Sequence, residues 1–410
     1  MPILVVFAAA CGGATTVVDP PPPPAAGFTV LLAPVAEDQV AAQALGWTAG
    51  IPGADVTITP NDSSAAPRTV QSSGAGVADF GTLPAGAYIV EAKRWLTASE
   101  LAKLPPGEDA NGWIARAPLT ATGQAGQRQI PISANRRKGL VISEWAFNTA
   151  RLPPINHTYP YGGFLELYNN GDTTVYVDGL TIVQAMELEY DYPTFPCSVM
   201  GRWTNDRTGL WTRHIQQFPG RGHDHPVAPG AVVVIAIDAI DHSKIVSRGI
   251  DLSHADFEFW GGPGDVDNPA VPNMIDTLSV GYDLTGHGPV YDAGSGVVLA
   301  LARPYNLAAT PRSTATDGKE WAQVGADLII DIVSLWAEAP YLDYPRCSQM
   351  VNSRFDVESS DVRDVDENIE YDYSVSRRAL PSTNGRVLLQ HSHSSGADFV
   401  HTLRSPRLVP

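Results

Sequence analysis

The chain has 410 residues, more than one ordinary domain, and its length predicts two or three domains. Charged residues make up 17% of the chain, while glycine and proline number 37 and 34, a composition typical of short strands joined by turns. The formal net charge of −17 argues against a nucleic acid partner, because phosphate binding needs a basic surface.

The N-terminus joins a short apolar run to a cysteine. Residues 3–10 are apolar but too few to span a bilayer as a helix, and small residues lead directly into Cys11. We expect residues 1–10 to be a signal peptide with a truncated start, since no basic residues precede the run. Residues 11–26 are then a linker, which Pro20–Pro24 keeps extended.

This pattern resembles the bacterial lipobox. The resemblance implies a lipid on Cys11, a membrane partner, and a location at the outer membrane of the cell envelope, periplasmic or surface-exposed. The alternative is a buried N-terminal strand in which Cys11 is an ordinary small residue.

Two further cysteines, Cys197 and Cys347, each follow shortly after a Tyr-Pro pair. An exported protein meets oxidising conditions, so we expect a disulfide between them. The alternative is two separate buried thiols.

Residues 27–135 have an all-β pattern, with strands at 28–32, 54–59, 76–80, 87–92 and 129–133. Residues 38–45 are either a short helix or a long loop, and 95–104 have helical character. The stretch from Gly76 to Phe80 is expected to turn Val77 and Phe80 inward, where Tyr88 and Val90 join them. These motifs resemble the transthyretin-like or carboxypeptidase-regulatory-like β-sandwich, which implies a spacer or docking module.

A basic hinge at residues 136–138 opens the second domain, residues 136–410. Strands are expected near 140–145, 163–168, 174–182, 231–237, 296–301 and 327–333. The alternation in the second of these places Phe164, Glu166 and Tyr168 on one face and Leu165 and Leu167 on the other.

The order of Ile142–Glu144, Phe164–Asn169 and Val177–Leu180 resembles the lamin-tail type of immunoglobulin-like sandwich. Asp251–Glu258, Ser374–Arg378 and Asp398-Phe399 are similar to an uncharacterised family of bacterial surface lipoproteins that carry such a domain. In that family the residues before Asp398 often read Asp-Thr-Asn-Asn-Ser, where this chain has His391-Ser-His-Ser-Ser. The fold class expected overall is all-β, with two β-sandwich (Ig-like) domains in tandem that carry long loops and follow the lipoprotein signal and Pro-rich linker.

Two His-x-His pairs are candidate metal ligands. His223 with His225, and His391 with His393, would each point to one side of an extended strand and hold one Zn or Cu ion. Asp224 and Asp398 are the nearby carboxylates. The alternative is that both pairs lie in exposed loops without a metal.

Carboxylates suggest two further sites. Asp361, Asp364 and Asp366 belong to an acidic run that suits Ca²⁺, or that is simply a solvated loop. Glu144 and Glu166 are expected to face each other across neighbouring strands, either as an acid–base pair or as hydrogen-bonding residues of the fold. The sequence contains no nucleophile elbow, zinc-protease motif or nucleotide-binding loop.

The function expected is a non-catalytic binding or accessory component of the cell envelope, serving an outer-membrane uptake or adhesion system. Its partner would be an envelope protein or a small ligand, bound through loops on a rigid scaffold. The alternatives are a metal-dependent hydrolase that uses the His-x-His pairs, and a Ca-stabilised structural module.

Overall fold

The computed structural model describes residues 27–62, 65–137, 139–146, 151–152, 157–158, 160–187, 206–247, 249–262, 267–280, 297–314, 318–338, 350–363, 373–383, 386–403 and 405–407. This part of the chain is predominantly β, as its composition predicts. None of its helices is long and apolar enough to cross a bilayer. Cys11, Cys197, Cys347, Asp364 and Asp366 lie outside the described residues, so the predictions about them stay predictions.

The N-terminal sheet is built from residues 28–136. Its strands are β1 Phe28–Pro34, β2 Asp55–Pro60, β3 Arg68–Gln71, β4 Val77–Asp79, β5 Gly86–Trp95, β6 Ala110–Ala121 and β7 Gly126–Arg136. Their order is β3-β2-β5-β6-β7-β1-β4. The short helix α1 Gln39–Ala44 is one of the two alternatives left open for residues 38–45, and α2 Ala98–Leu101 confirms the helical character expected near 95–104.

Strand β7 belongs to both halves of this sheet. Its first residues run parallel to β1, and its last residues pair with β6, so the sheet turns around a single apolar core. Tyr88, Val90 and Phe80 are buried there, as expected, but the inward residue of β4 is Ala78. The expectation for Val77 was wrong, because alternate residues of a strand share a face and Val77 lies on the other one.

The remaining strands begin at Leu140. They are β8 Leu140–Ala146, β9 Arg151–Leu152, β10 His157–Thr158, β11 Phe164–Asn169, β12 Val175–Tyr176, β13 Thr181–Glu187, β14 Gly209–Gln217, β15 Pro226–Val227, β16 Val232–Ala236, β17 Phe257–Glu258, β18 Ile275–Ser279, β19 Val297–Ala302, β20 Arg312–Thr314, β21 Glu320–Gly325, β22 Ile329–Glu338, β23 Ser360–Arg363, β24 Tyr373–Arg377, β25 Ala379–Thr383, β26 Arg386–Leu389 and β27 Phe399–Leu403. One more short helix, α3, spans Ser395–Asp398. Single 3-10 turns lie at Ala36–Asp38, Pro160–Gly162, His242–Lys244, Leu307–Ala309 and Ala326–Leu328.

Two of the resulting sheets pack face to face. One has the order β17-β16-β11-β8-β24-β27, and the other has the order β20-β21-β14-β13-β19-β22-β23, with β18 beside β14. Leu165 and Leu167 of the first sheet share an apolar cluster with Leu299, Leu301 and Val333 of the second. Phe164 and Tyr168 lie in separate clusters on the outer face, which confirms the alternation expected for β11.

Strand β8 contains a β-bulge opposite Glu166. The register moves from Glu144 to Ile142 between Glu166 and Leu167, so Ser143 has no partner of its own on β11. An extra residue shifts the alternation of a strand by one, and Ile142 and Trp145 therefore both reach the core between the sheets. Glu144 remains on the outer face with Glu166.

Candidate functional site at the junction of the N-terminal sheet and the paired sheets

Glu144 and Glu166 lie opposite each other, as the sequence predicts, and both are almost completely buried. The Glu166 carboxylate accepts hydrogen bonds from the Ser143 hydroxyl (2.7 Å) and the Arg407 N–H (2.6 Å). Burial raises the pKa of Glu166 to about 7; these two hydrogen bonds oppose the rise, and the neighbouring charge of Glu144 adds to it.

Glu144 is held in the same way. Its Oε1 accepts hydrogen bonds from the Ser374 hydroxyl (2.5 Å) and the Ser405 N–H (2.9 Å), and Ser405 Oγ lies 3.3 Å from its Oε2. Two donors to this pair are therefore backbone N–H groups of residues 405–407, so both glutamates fasten the C-terminal segment to the outer face of the sheet.

A second buried network joins the two packed sheets. Arg377 on β24 is fully buried and donates to Asp331 Oδ2 on β22 (2.7 Å) and to Asp398 Oδ2 at the end of α3 (2.8 Å). Its Nε donates to the Ile142 carbonyl (2.8 Å), and its guanidinium lies over the Phe399 ring. Two motifs singled out in the sequence, Ser374–Arg378 and Asp398-Phe399, thus contribute to a single ionic network inside the fold.

The charges of this network are unevenly balanced. Burial opposes ionisation of Asp331, but Arg377 and His391 outweigh it and hold its pKa below the usual range. Burial raises the pKa of Asp398, which Arg377 opposes. It also raises the pKa of Asp356 to about 7, although the Ser334 hydroxyl and the Ser395 N–H donate to that carboxyl.

His391 connects this network to the N-terminal sheet. Its backbone N–H donates to Asn135 Oδ1 (2.7 Å), and its carbonyl accepts from the Arg136 N–H (2.9 Å). Both residues lie at the end of β7. Arg136 in turn forms an ion pair with Asp38 (2.7 Å), whose other oxygen accepts from the Ala134 N–H. Burial raises the pKa of Asp38, and Arg136 opposes that rise.

A cleft opens beside these contacts, between the N-terminal sheet and the paired sheets. It encloses about 200 Å³ and is lined on one side by Val35, Asp38 and Arg136, and on the other by Asp331, Arg354, Phe355 and His393. Burial lowers the pKa of His393 to about 3, and His391 and Arg136 lower it further. His393 is therefore a neutral imidazole at neutral pH, able both to donate and to accept a hydrogen bond.

The other predicted histidine pair lies in a different environment. His223 is exposed and packs edge-on against Tyr176, while His225 packs against Phe257, with its Nδ1 3.4 Å from Asp178 Oδ1. These contacts share no residue with those of His391 and His393. In the described part of the chain, no three His, Cys, Asp or Glu side chains are placed to hold one metal ion, and the four-histidine site stays a prediction.

The acidic run that contains Asp361 is not solvated throughout, because its first acidic residues are buried. Asp356 and Glu358 are buried, and Asp356 binds the segment around Ser395 through a 2.7 Å hydrogen bond. The backbone of Asp361 lies in β23. The Ca²⁺ role of Asp361, Asp364 and Asp366 stays a prediction.

Two acidic residues of this site were missed by sequence reasoning. Asp331 interrupts an otherwise apolar strand that runs from Leu328 to Val333, and a charged residue in a buried strand was a usable signal for an internal ion pair. Asp38 gave no such signal, since an acidic residue near the start of a helix is ordinary.

Part of the chain matches a protein family whose function is not known. Residues 228–405, less than half of the chain, match the family described as "Protein of unknown function (DUF4876)". The chain is also similar to the crystal structure of a DUF4876 family protein from Bacteroides thetaiotaomicron VPI-5482, with a TM-score of 0.51 and 17% identity over 93% of this chain and 98% of that one. At this identity the likeness shows the fold alone. No curated protein matches the chain.

Proposed function

We propose that this chain is a non-catalytic binding or accessory protein of the bacterial cell envelope, held at the membrane by a lipid on Cys11. The observation that carries the proposal is the cleft between the N-terminal sheet and the paired sheets. Ligand sites commonly occur where domains meet, with apolar walls and a few fixed polar groups. Val35 and Phe355 supply apolar wall here, and His393 is one of the polar groups that line it.

The charged groups around the cleft favour binding over catalysis. Asp38 is paired with Arg136, and Asp331 with Arg377. Glu144 and Glu166, which do not line the cleft, hold residues 405–407 through backbone hydrogen bonds. Acid–base catalysis needs a carboxylate within hydrogen-bonding reach of the reacting proton, and these carboxylates are already occupied by partners within the protein.

The fold assignment behind this proposal has two parts. We assign residues 140–407 to the lamin-tail type of Ig-like sandwich, a view supported by two face-to-face sheets and by the pairing of Glu144 with Glu166. We assign residues 27–136 to the transthyretin-like class, supported by seven strands around a single core. Such scaffolds place recognition in loops and at junctions.

A cavity-filling variant tests the binding role. Ala326 lines the cleft, so Ala326→Trp would occupy it, whereas Ala85→Trp adds the same ring at an exposed turn. Native mass spectrometry of protein purified from its own envelope should detect a small molecule on the wild type and on Ala85→Trp. Ala326→Trp should lose it. A wild-type protein without bound ligand, or equal occupancy in all three, would contradict the proposal.

The anchor is tested separately. Cys11→Ala should move the protein from the membrane fraction to the soluble fraction, because the lipid would have no attachment site. A variant that still sediments with membranes would show that the anchor lies elsewhere.

A further inference from the structure

His391 has a buried ring nitrogen without a hydrogen-bonding partner. The residue is 6% exposed, and among the described residues no group forms a hydrogen bond with either ring nitrogen, Nδ1 or Nε2. A buried polar atom that has lost water and gained no partner costs about 1–3 kcal/mol. A ligand from outside the chain that binds this imidazole would remove that cost.

The Asp331 carboxylate lies beside the His391 ring. Its Oδ1 lies 3.2 Å from His391 Nε2, on the side of the imidazole away from Nδ1. A carboxylate in this position favours a proton on Nε2 and leaves the Nδ1 lone pair free. The same carboxylate–histidine arrangement supports metal-binding histidines in general, because it fixes the tautomer and makes the ligand nitrogen more basic.

His393 supplies a second imidazole at a matching distance. The two ring centres are 5.2 Å apart with an interplanar angle of 35°. Two imidazole nitrogens about 2.0–2.1 Å from one tetrahedral metal ion would place the ring centres roughly 5 Å apart. His393 also has a φ of 53°, in the left-handed region that histidine seldom adopts, and such strain concentrates at ligand clamps and active sites.

The surroundings have room for positive charge. Asp331 and Asp398 share the single guanidinium of Arg377, and the Asp356 carboxyl lies in the same network. Arg136 is paired with Asp38, and its charge also lowers the pKa of His393. A buried group of carboxyls with too few cations takes up protons or a metal cation.

We propose that His391 and His393 bind one divalent transition-metal ion, of which Zn²⁺ is the probe, at the wall of the cleft. The inference rests on the proposed binding role of the cleft and names its ligand. The described residues supply two nitrogens and no third side chain, so two of four tetrahedral positions would remain for other ligands. Of the two histidines, His393 lines the cavity. Water or a chelating small molecule completes the coordination, as in metal sites that keep open positions.

Zinc titration of the metal-free, full-length protein tests this inference. Competition with a chromophoric chelator should give one Zn²⁺ per chain, and His391→Ala or His393→Asn should weaken binding at least tenfold. Asparagine tolerates the left-handed backbone, so His393→Asn removes the ligand without the strain of other substitutions. The exposed pair provides the matched control: His223→Ala with His225→Ala should bind zinc like the wild type.

X-ray absorption at the zinc edge supplies a readout that a structural role would not affect. It should show two imidazole nitrogens in the wild type and fewer in His393→Asn. Absence of stoichiometric zinc, or full binding by His391→Ala and His393→Asn, would overturn the inference. A different result would separate the two proposals. If zinc binds to His391 and His393 but Ala326→Trp retains its small molecule, the metal site is supported and the proposed binding role of the cleft is refuted.

Discussion

Glu144 and Glu166 stand directly opposite each other on neighbouring antiparallel strands, although both are carboxylates and both are buried. Like charges in this position destabilise a sheet unless donors or a proton offset them. The donors are Ser143, Ser374 and the backbone of residues 405–407. The repulsion between the two carboxylates destabilises the sheet, while their hydrogen bonds attach residues 405–407 to it.

Glu166→Gln should therefore change the pH dependence of stability. The pKa of Glu166 is about 7 in the folded protein, against an ordinary glutamate value of 4.5. Its contribution to the free energy of unfolding is therefore full below pH 4.5 and is lost as the pH rises through 7. That loss amounts to about 3 kcal/mol. Glutamine does not ionise, so the variant should not lose this stability between pH 5 and pH 8. Urea denaturation at the two pH values should show the free energy of unfolding falling in the wild type by most of this amount more than in the variant.

The control for this comparison is Glu320→Gln, at a side chain that is 58% exposed. It should leave the difference between pH 5 and pH 8 as in the wild type. Glu166 faces Glu144 and the Arg407 backbone, so an unchanged pH profile in Glu166→Gln would mean that the pair already shares a proton at pH 8.

Arg377→Met should be among the most destabilising single substitutions in the chain. It leaves the buried carboxylates of Asp331 and Asp398 without their cation, and breaking a buried pair in this way costs about 3–5 kcal/mol. Urea denaturation measures the loss. The double variant Arg377→Met with Asp331→Leu should recover part of it, whereas the exposed Arg303→Met should cost little. Equal stabilities for the single and the double variant would contradict the ionic account.

Gly76→Ala should destabilise the N-terminal sheet by about 1–3 kcal/mol. Gly76 has a φ of 78°, and an added Cβ would lie 2.6 Å from the backbone of Gly50. Gly74 offers a close control, since its φ is ordinary and a Cβ there would meet nothing within 4 Å. Thermal unfolding of Gly76→Ala and Gly74→Ala should separate the two, and similar melting temperatures would mean that the turn relaxes.

Asn135→Ala should loosen the contact between the N-terminal sheet and the paired sheets. The Asn135 side chain accepts from the His391 N–H and donates to Asn111, and leaving these buried groups unpaired costs about 1–3 kcal/mol. Differential scanning calorimetry should show a broader transition, or two, in place of a single one. The exposed Asn61→Ala should leave the trace unchanged, and a single sharp transition in Asn135→Ala would show that other contacts dominate the junction.

Sequence patterns identified several of the strands and the two faces of β11, but they missed β3 and β6 and placed Val77 on the wrong face. They were insufficient for the contacts between distant segments. Alternation in β11 identified the buried and outer residues, because that information is local. The bulge at Ser143 was not predictable, since it depends on how β8 aligns with β11. The pairing of Arg377 with Asp331 requires β24 and β22 to meet across two sheets, and that of Arg136 with Asp38 requires β7 to end beside α1. These are properties of topology, on which a single sequence carries little information.

Strand β1 runs parallel to β7 over seven paired residues, from Phe28 beside Gly126 to Pro34 beside Ile132. The chain enters the described structure at the start of β1 and continues from the end of β7 into the paired sheets. A pulling force between these two points would act along both strands in opposite directions. Such a force loads all the hydrogen bonds of the pair in shear, so that they must break together instead of one after another. We therefore expect the N-terminal sheet to resist unfolding by a force applied between the start of β1 and the end of β7.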